Sequence, residues 1–293
     1  MRHSLIDTFD DFIRYWQGAC DKTLEQKVEL WASSYMHKYP GLLQKQIRDY
    51  QEAGHDWREI ARTKVFAELG DRVALMKEAR ESLLQVCGPI YEQSVQALEL
   101  DFPVAFVIYV GIGCGAGWAT QYQDGPACLL GLEQIAGLGL QSKERLREVL
   151  AHEIGHLAHM QWRHEPERFE EQEKDPLFLL YSEGFAKRCE YLVLGSESWN
   201  QAQNESWLSW CREHKAWLAK EYLRRVDSDE PANDFFGDWL DVQGRSQTGY
   251  YLGWTYILWL EQNYGTREIA ALPLERVRAE TRSYLQQLAA GKD

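Results

Sequence analysis

The sequence predicts an α+β protein that is mostly helical. Three observations predict it. Helical periodicity, punctuated by cap and stop signals, fills the chain to about residue 100. A β-branched and aromatic run opens at Pro103. Helical patterning then returns after Gly139 and holds almost to the end. The expected division is an N-terminal helical lobe over residues 1–100 and a second domain over 101–293. That second domain would hold a small sheet, a central helix and further helices behind it.

In the first lobe, Asp21 and Thr23 offer helix starts before an apolar series through Leu24, Val28, Trp31 and Tyr35. Pro40-Gly41 is expected to end that helix. Two more helical patterns cover 56–69 and 71–86, split by Gly70, and Gly88-Pro89 reads as another break. The run 103–110 reads as a buried strand, and glycines follow at 111, 113, 115 and 117. A second strand is expected at 127–132, opened by Gly125-Pro126, with 118–124 as a polar and aromatic connection. Ser142 is a candidate N-cap for a long helix reaching Trp162. The acidic stretch 165–175 reads as a solvated loop. Asp175-Pro176 is an N-cap followed by Pro at the first helical position, and that helix stops at Gly195. Helical patterns also cover about 198–226 and 249–264.

Composition narrows the function classes. The 293 residues carry 32 basic and 45 acidic side chains, a net charge of −13. A nucleic-acid partner calls for a basic face and an anionic membrane for a basic patch, so both are disfavoured. No apolar stretch is long enough to span a bilayer, and the start lacks the apolar segment of a signal peptide. Six thinly spread cysteines read as free thiols in a reducing, cytoplasmic setting. Oligomeric state is not legible.

The chemical signal is His152-Glu153-Ile154-Gly155-His156. Two histidines at i and i+4 lie on one helix face, where their imidazoles converge on one Zn²⁺. The intervening Glu153 is the candidate general base, placed to take a proton from water on the metal. A catalytic zinc needs a third protein ligand and one open position. A histidine six residues after His156 would supply one pattern, but Trp162 stands there. Glu183, on the next predicted helix and 27 residues beyond His156, is the better candidate, with Glu190 as the fallback. His159 continues the helix stripe, but it lies about 10 Å along the axis from His152, too far to share one ion easily. The run Gly111-x-Gly113-x-x-Ala116 fits a loose dinucleotide pattern, but no helix start follows it to hold a pyrophosphate.

On these residues the chain resembles the gluzincin metallopeptidases, which join His-Glu-x-x-His to a downstream glutamate ligand. Glu183-Gly184-Phe185-Ala186 looks like their Glu-Gly-x-Ala element. Gly249-Tyr250-Tyr251-Leu252-Gly253-Trp254 is similar to an element of a family of predicted zinc-dependent bacterial proteases. The resemblance covers about residues 103–264 and implies a zincin-like domain with one zinc per chain and a peptide or protein substrate. It also implies that the 127–132 strand is the sheet edge beside the helix, able to pair with an extended peptide. A thermolysin-like enzyme has Asp four residues after the ligand Glu, where this chain has Lys187. Tyr250, at a helix start, is the candidate oxyanion donor, with Tyr251 as its alternative. The competing class is a non-catalytic zinc-binding or interaction protein, in which His159 or Cys189 would close the fourth position. A zinc hydrolase acting on a non-peptide amide would share the same ligands.

Overall fold

The computed structural model describes residues 3–197, 199, 205–237 and 241–291. It is mostly helical with one small mixed sheet, the α+β class expected. Internal contacts divide the chain into two compact units, Met1–Glu153 and Ile154–Asp293. The helices before residue 100 therefore belong with the sheet.

The first unit begins with β1 (Ser4–Asp7) and α1 (Phe9–Ala19). Helix α2 (Leu24–Leu30) starts at Thr23, one of the two starts the sequence offered, which forms a capping box with Gln26. It passes into a π-helical turn over Trp31–Tyr35. Pro40 then opens α3 (Pro40–Glu52) instead of only ending what precedes it, because a first-turn proline loses no hydrogen bond. A short α4 (Trp57–Ile60) and a second π turn, Ala61–Val65, lead to α5 (Leu69–Leu98).

Helix α5 corrects the sequence reading. It runs unbroken through Gly70, Gly88 and Pro89. An interior proline costs roughly 3 kcal/mol. Against that, Leu83, Val86, Cys87, Ile90 and Tyr91 all bury on one side of the helix, which outweighs it at about 1.5–3 kcal/mol for each large side chain. Gly88 leaves room for the His3 ring, 3.1 Å from where a Cβ would stand.

The sheet contains β1, β2 (Ala105–Tyr109), β3 (Trp118–Tyr122) and β4 (Gly125–Gly131) in the order β1-β2-β4-β3. β1, β2 and β4 are parallel, and β3 runs antiparallel to β4. This overturns the expectation that 127–132 is the edge. β4 is internal, and the edge beside it is β3, in the segment read as a polar connection. Gln123 and Asp124 both take positive φ (49° and 65°), making a two-residue hairpin turn that the sequence hid because neither is glycine. The glycine-rich loop thus joins β2 to β3 and crosses the end of β4. There a Cβ on Gly131 would run into the Gly115 carbonyl oxygen, and a Cβ on Gly115 would stand 2.8 Å from the Gly117 carbonyl oxygen.

After α6 (Leu132–Gly137) comes α7 (Lys143–Arg163), with the Ser142 side chain accepting from Arg145 N–H as a cap. The boundary between the units falls inside α7. The second unit continues with α8 (Pro166–Gln172), α9 (Pro176–Leu194), α10 (Glu205–Asp227), α11 (Thr248–Leu260), α12 (Thr266–Ala270) and α13 (Leu274–Ala289). The predicted caps of α9 are present: Asp175 accepts from Leu177 N–H, and Gly195 ends the helix at φ 73°. The acidic stretch is not a solvated loop. It forms α8, whose Phe169 and Gln172 are buried. Part of the helix expected at 198–226 lies outside the described residues. No helix among the described residues is long and apolar enough to cross a membrane.

Candidate metal centre

Two glycines explain how α7, α9 and α11 come together within the second unit. A Cβ on Gly155 would stand 2.9 Å from Ala186 Cα, so the backbones of α7 and α9 touch there. A Cβ on Gly253 would stand 2.6 Å from the Leu180 carbonyl oxygen and 2.9 Å from Gly184 Cα, so α11 touches α9 in the same way. The glycines of all three sequence elements, His-Glu-Ile-Gly-His, Glu-Gly-Phe-Ala and Gly-Tyr-x-x-Gly, are therefore crossing points. They place His156 and Glu183 side by side, with Nε2 of the first 3.4 Å from Oε2 of the second.

His152 stands one turn before His156 on α7, and both histidines are 7 % exposed. The ligand atoms of His152, His156 and Glu183 all lie within 4.8 Å of one another. Two imidazole nitrogens and one carboxylate at that spacing fit zinc, which takes His and Glu ligands at about 2.0–2.2 Å. Among the described residues, neither His159 nor Cys189 belongs to the cluster.

His159 sits instead in a cage of aromatic rings, with Phe185, Tyr181 and Phe169 centred 4.5, 4.7 and 4.9 Å away. Burial drives its pKa well down, so the ring is neutral. The fallback ligand Glu190 is engaged elsewhere. Its carboxylate accepts from Lys187 Nζ at 3.0 and 3.1 Å, and both side chains are buried.

Glu173 is the residue that sequence reasoning missed. It follows α8, and its Oε1 lies 3.9 Å from His156 Nδ1, on the ring nitrogen opposite the one facing Glu183. Ser182 Oγ donates to the same oxygen at 2.9 Å. Burial raises the Glu173 pKa to about 7, opposed by the neighbouring imidazole. At 3.9 Å the pair is at ion-pair distance, longer than a hydrogen bond, so Glu173 acts on the imidazole through its charge. No motif marks it: the acidic run around it looks like any solvated stretch.

Within the first unit, Glu153 projects toward the sheet edge. Ala119 N–H, on β3, donates to Glu153 Oε2 at 2.8 Å. Gly117 lies against the same side chain, where a Cβ would come within 2.6 Å of Oε1. Tyr250, in the first turn of α11, is half-buried, with its ring edge-on to Phe236 at 5.5 Å. Tyr251 beside it is buried.

No protein-family model matches this sequence, and searches of curated proteins and solved structures return no match.

Proposed function

We propose that this chain is a zinc-dependent peptidase of gluzincin type with a zincin-like domain, in which His152, His156 and Glu183 hold one zinc ion. The observation that carries this reading is the cluster of His152, His156 and Glu183, whose candidate ligand atoms all lie within 4.8 Å of one another. Zinc bound there supplies Lewis acidity for the scissile carbonyl and lowers the pKa of water toward about 7. Glu153 is the general base. Ala119 N–H donates to its Oε2 at 2.8 Å, and the carboxylate takes a proton from water and passes it to the leaving amine nitrogen. The edge strand β3, not β4, pairs with an extended peptide through main-chain hydrogen bonds. Tyr250, with Tyr251 as the alternative, donates to the oxyanion. Glu173 sets a negative charge beside the His156 ring, 3.9 Å from Nδ1. Six unpaired cysteines agree with work in a reducing, cytoplasmic setting.

The test is elemental analysis of wild type beside Glu183→Ala, followed by peptide-library cleavage with Glu153→Gln as the control. About one zinc per chain in wild type and a large loss in Glu183→Ala is expected for a three-ligand site. Glu153→Gln should keep its zinc and lose roughly 10²–10⁴-fold in turnover. Wild type without zinc, even when zinc is supplied, would overturn the metallopeptidase reading. So would full activity in Glu153→Gln.

A further inference from the structure

The first unit carries a second buried carboxylate, and it is tied to the glycine-rich loop that the nucleotide pattern left unexplained. Glu133, in the first turn of α6, is 0 % exposed. Its Oε2 accepts from Gly111 N–H at 2.7 Å and its Oε1 from Gly113 N–H at 3.1 Å. The neighbouring Gln134 Nε2 donates to the Gly113 carbonyl at 2.9 Å. The helices preceding the sheet bind the rest of the loop. Trp31 Nε1 donates to the Val110 carbonyl, and Tyr35 Oη accepts from Val110 N–H. Gln46 accepts from Ile112 N–H, and Tyr50 donates to its carbonyl. Each peptide group from 110 to 113 is thus tied to a side chain.

The same loop ends on Glu153. Gly131 N–H binds the Ala116 carbonyl at 3.3 Å. Gly117 then abuts the Glu153 carboxylate, and Ala119 N–H holds it. Glycine is needed along this path for contact, since a Cβ on Gly111 would stand 2.7 Å from Glu133 Oε1. Gly113 is needed for conformation also, at φ 94°. A carboxylate that accepts from two main-chain N–H groups fixes that main chain.

We propose that Glu133 is a positioning residue for Glu153: by clamping the loop 110–117 it sets where Gly117 and Ala119 N–H present themselves to the base. The catalytic half of this inference rests on the peptidase reading above. It gives the helices before residue 100 a role, since they supply the other loop clamps.

The experiment uses the full chain, zinc-loaded, as wild type, Glu133→Gln and Gln134→Ala. Hydrogen exchange by mass spectrometry is read on the segment 110–119, together with zinc content, kcat and KM on a fluorogenic peptide pool. Gln134 is half-buried, so its variant folds if Glu133→Gln does not. Exchange in 110–119 should rise roughly tenfold while α9 and α11 are unchanged. Zinc content should hold, and kcat should fall roughly tenfold or more with KM nearly constant. Unchanged exchange in 110–119 would overturn the clamp. Raised exchange with unchanged kcat would overturn the link to Glu153, and so would zinc lost in proportion to activity. Wild type that binds zinc but cleaves no peptide would sink the peptidase reading and the catalytic half with it, and the exchange result would still decide whether Glu133 holds the loop.

Discussion

The two compact units hold their candidate site residues by different means. The first holds Glu153 through polar ties: a buried carboxylate, amide and hydroxyl side chains, and main-chain N–H groups along a glycine loop. The second holds His156 and Glu183 by steric contact, with helix backbones touching at Gly155, Gly184 and Gly253. Glycine serves both, for opposite reasons. In the loop it lets peptide groups reach carboxylates. At the helix crossings it lets two backbones meet. The units also use their inward-facing acids differently, Glu133 fully buried and Glu173 half-buried. Glu133 and Glu173 are both raised to about 7 by burial, yet one grips main chain and the other faces an imidazole.

The contrast predicts that packing changes in the second unit cost most. Gly184→Val sets branched atoms against the Gly253 backbone, 2.7 Å from its Cα at the first atom added. The expected cost is above about 4 kcal/mol, seen as loss of soluble folded protein. Gly125→Ala, with nothing within 4 Å of the new Cβ, is the control. A Gly184→Val chain as stable as wild type in urea would refute the backbone-contact account.

Next in size is the pH dependence that Glu133 gives to stability. Its folded pKa is about 7 against an ordinary value of 4.5, so the folded state binds more protons between them. The contribution is therefore fully present below about pH 4.5 and lost as pH rises through about 7, up to about 3 kcal/mol. Tyr35, Tyr50, Tyr109 and Cys114 around it stay neutral in that window, each raised by burial. Arg72 opposes the shift. Urea unfolding of the metal-free chain should show the gap between wild type and Glu133→Gln changing from about pH 5 to about pH 8. A constant gap would mean that Glu133 does not titrate there.

A smaller effect is expected at Glu173. Glu173→Gln should weaken zinc affinity up to roughly 10-fold by removing the negative charge 3.9 Å from the His156 ring, measured by competition with a chelator. Unchanged affinity would leave Glu173 as packing only. The smallest effect belongs to the helix start: Ser142→Ala should cost about 1 kcal/mol of stability without altering zinc content. A loss of zinc there would show that the cap matters to the ligands as well as to the helix.

Much of this molecule could be read from local sequence. Ser142, Thr23, Asp175 and Gly195 mark helix ends because a cap acts within a few residues of itself. The pairing of His152 and His156 on one face is fixed by helical pitch alone. Glu183 could be named as a candidate ligand, but only the contact of Gly155 with Ala186 brings it to His156. Distant packing decided the rest. Pro89 sits within a helix because burial elsewhere on α5 outweighs its local cost. β3 is the edge because β4 inserts beside β2, a choice of strand order that no single strand encodes. Glu133 and Glu173 look like ordinary surface acids in the sequence, and their roles come from partners 20 residues or more away for Gly113 and Gly111 and 17 away for His156. The sequence by itself set the helix periodicity and the spacing of the ligand types, since both act over one or two turns. The tertiary structure alone decided which carboxylates are buried and what they face, because burial depends on every element packed around them.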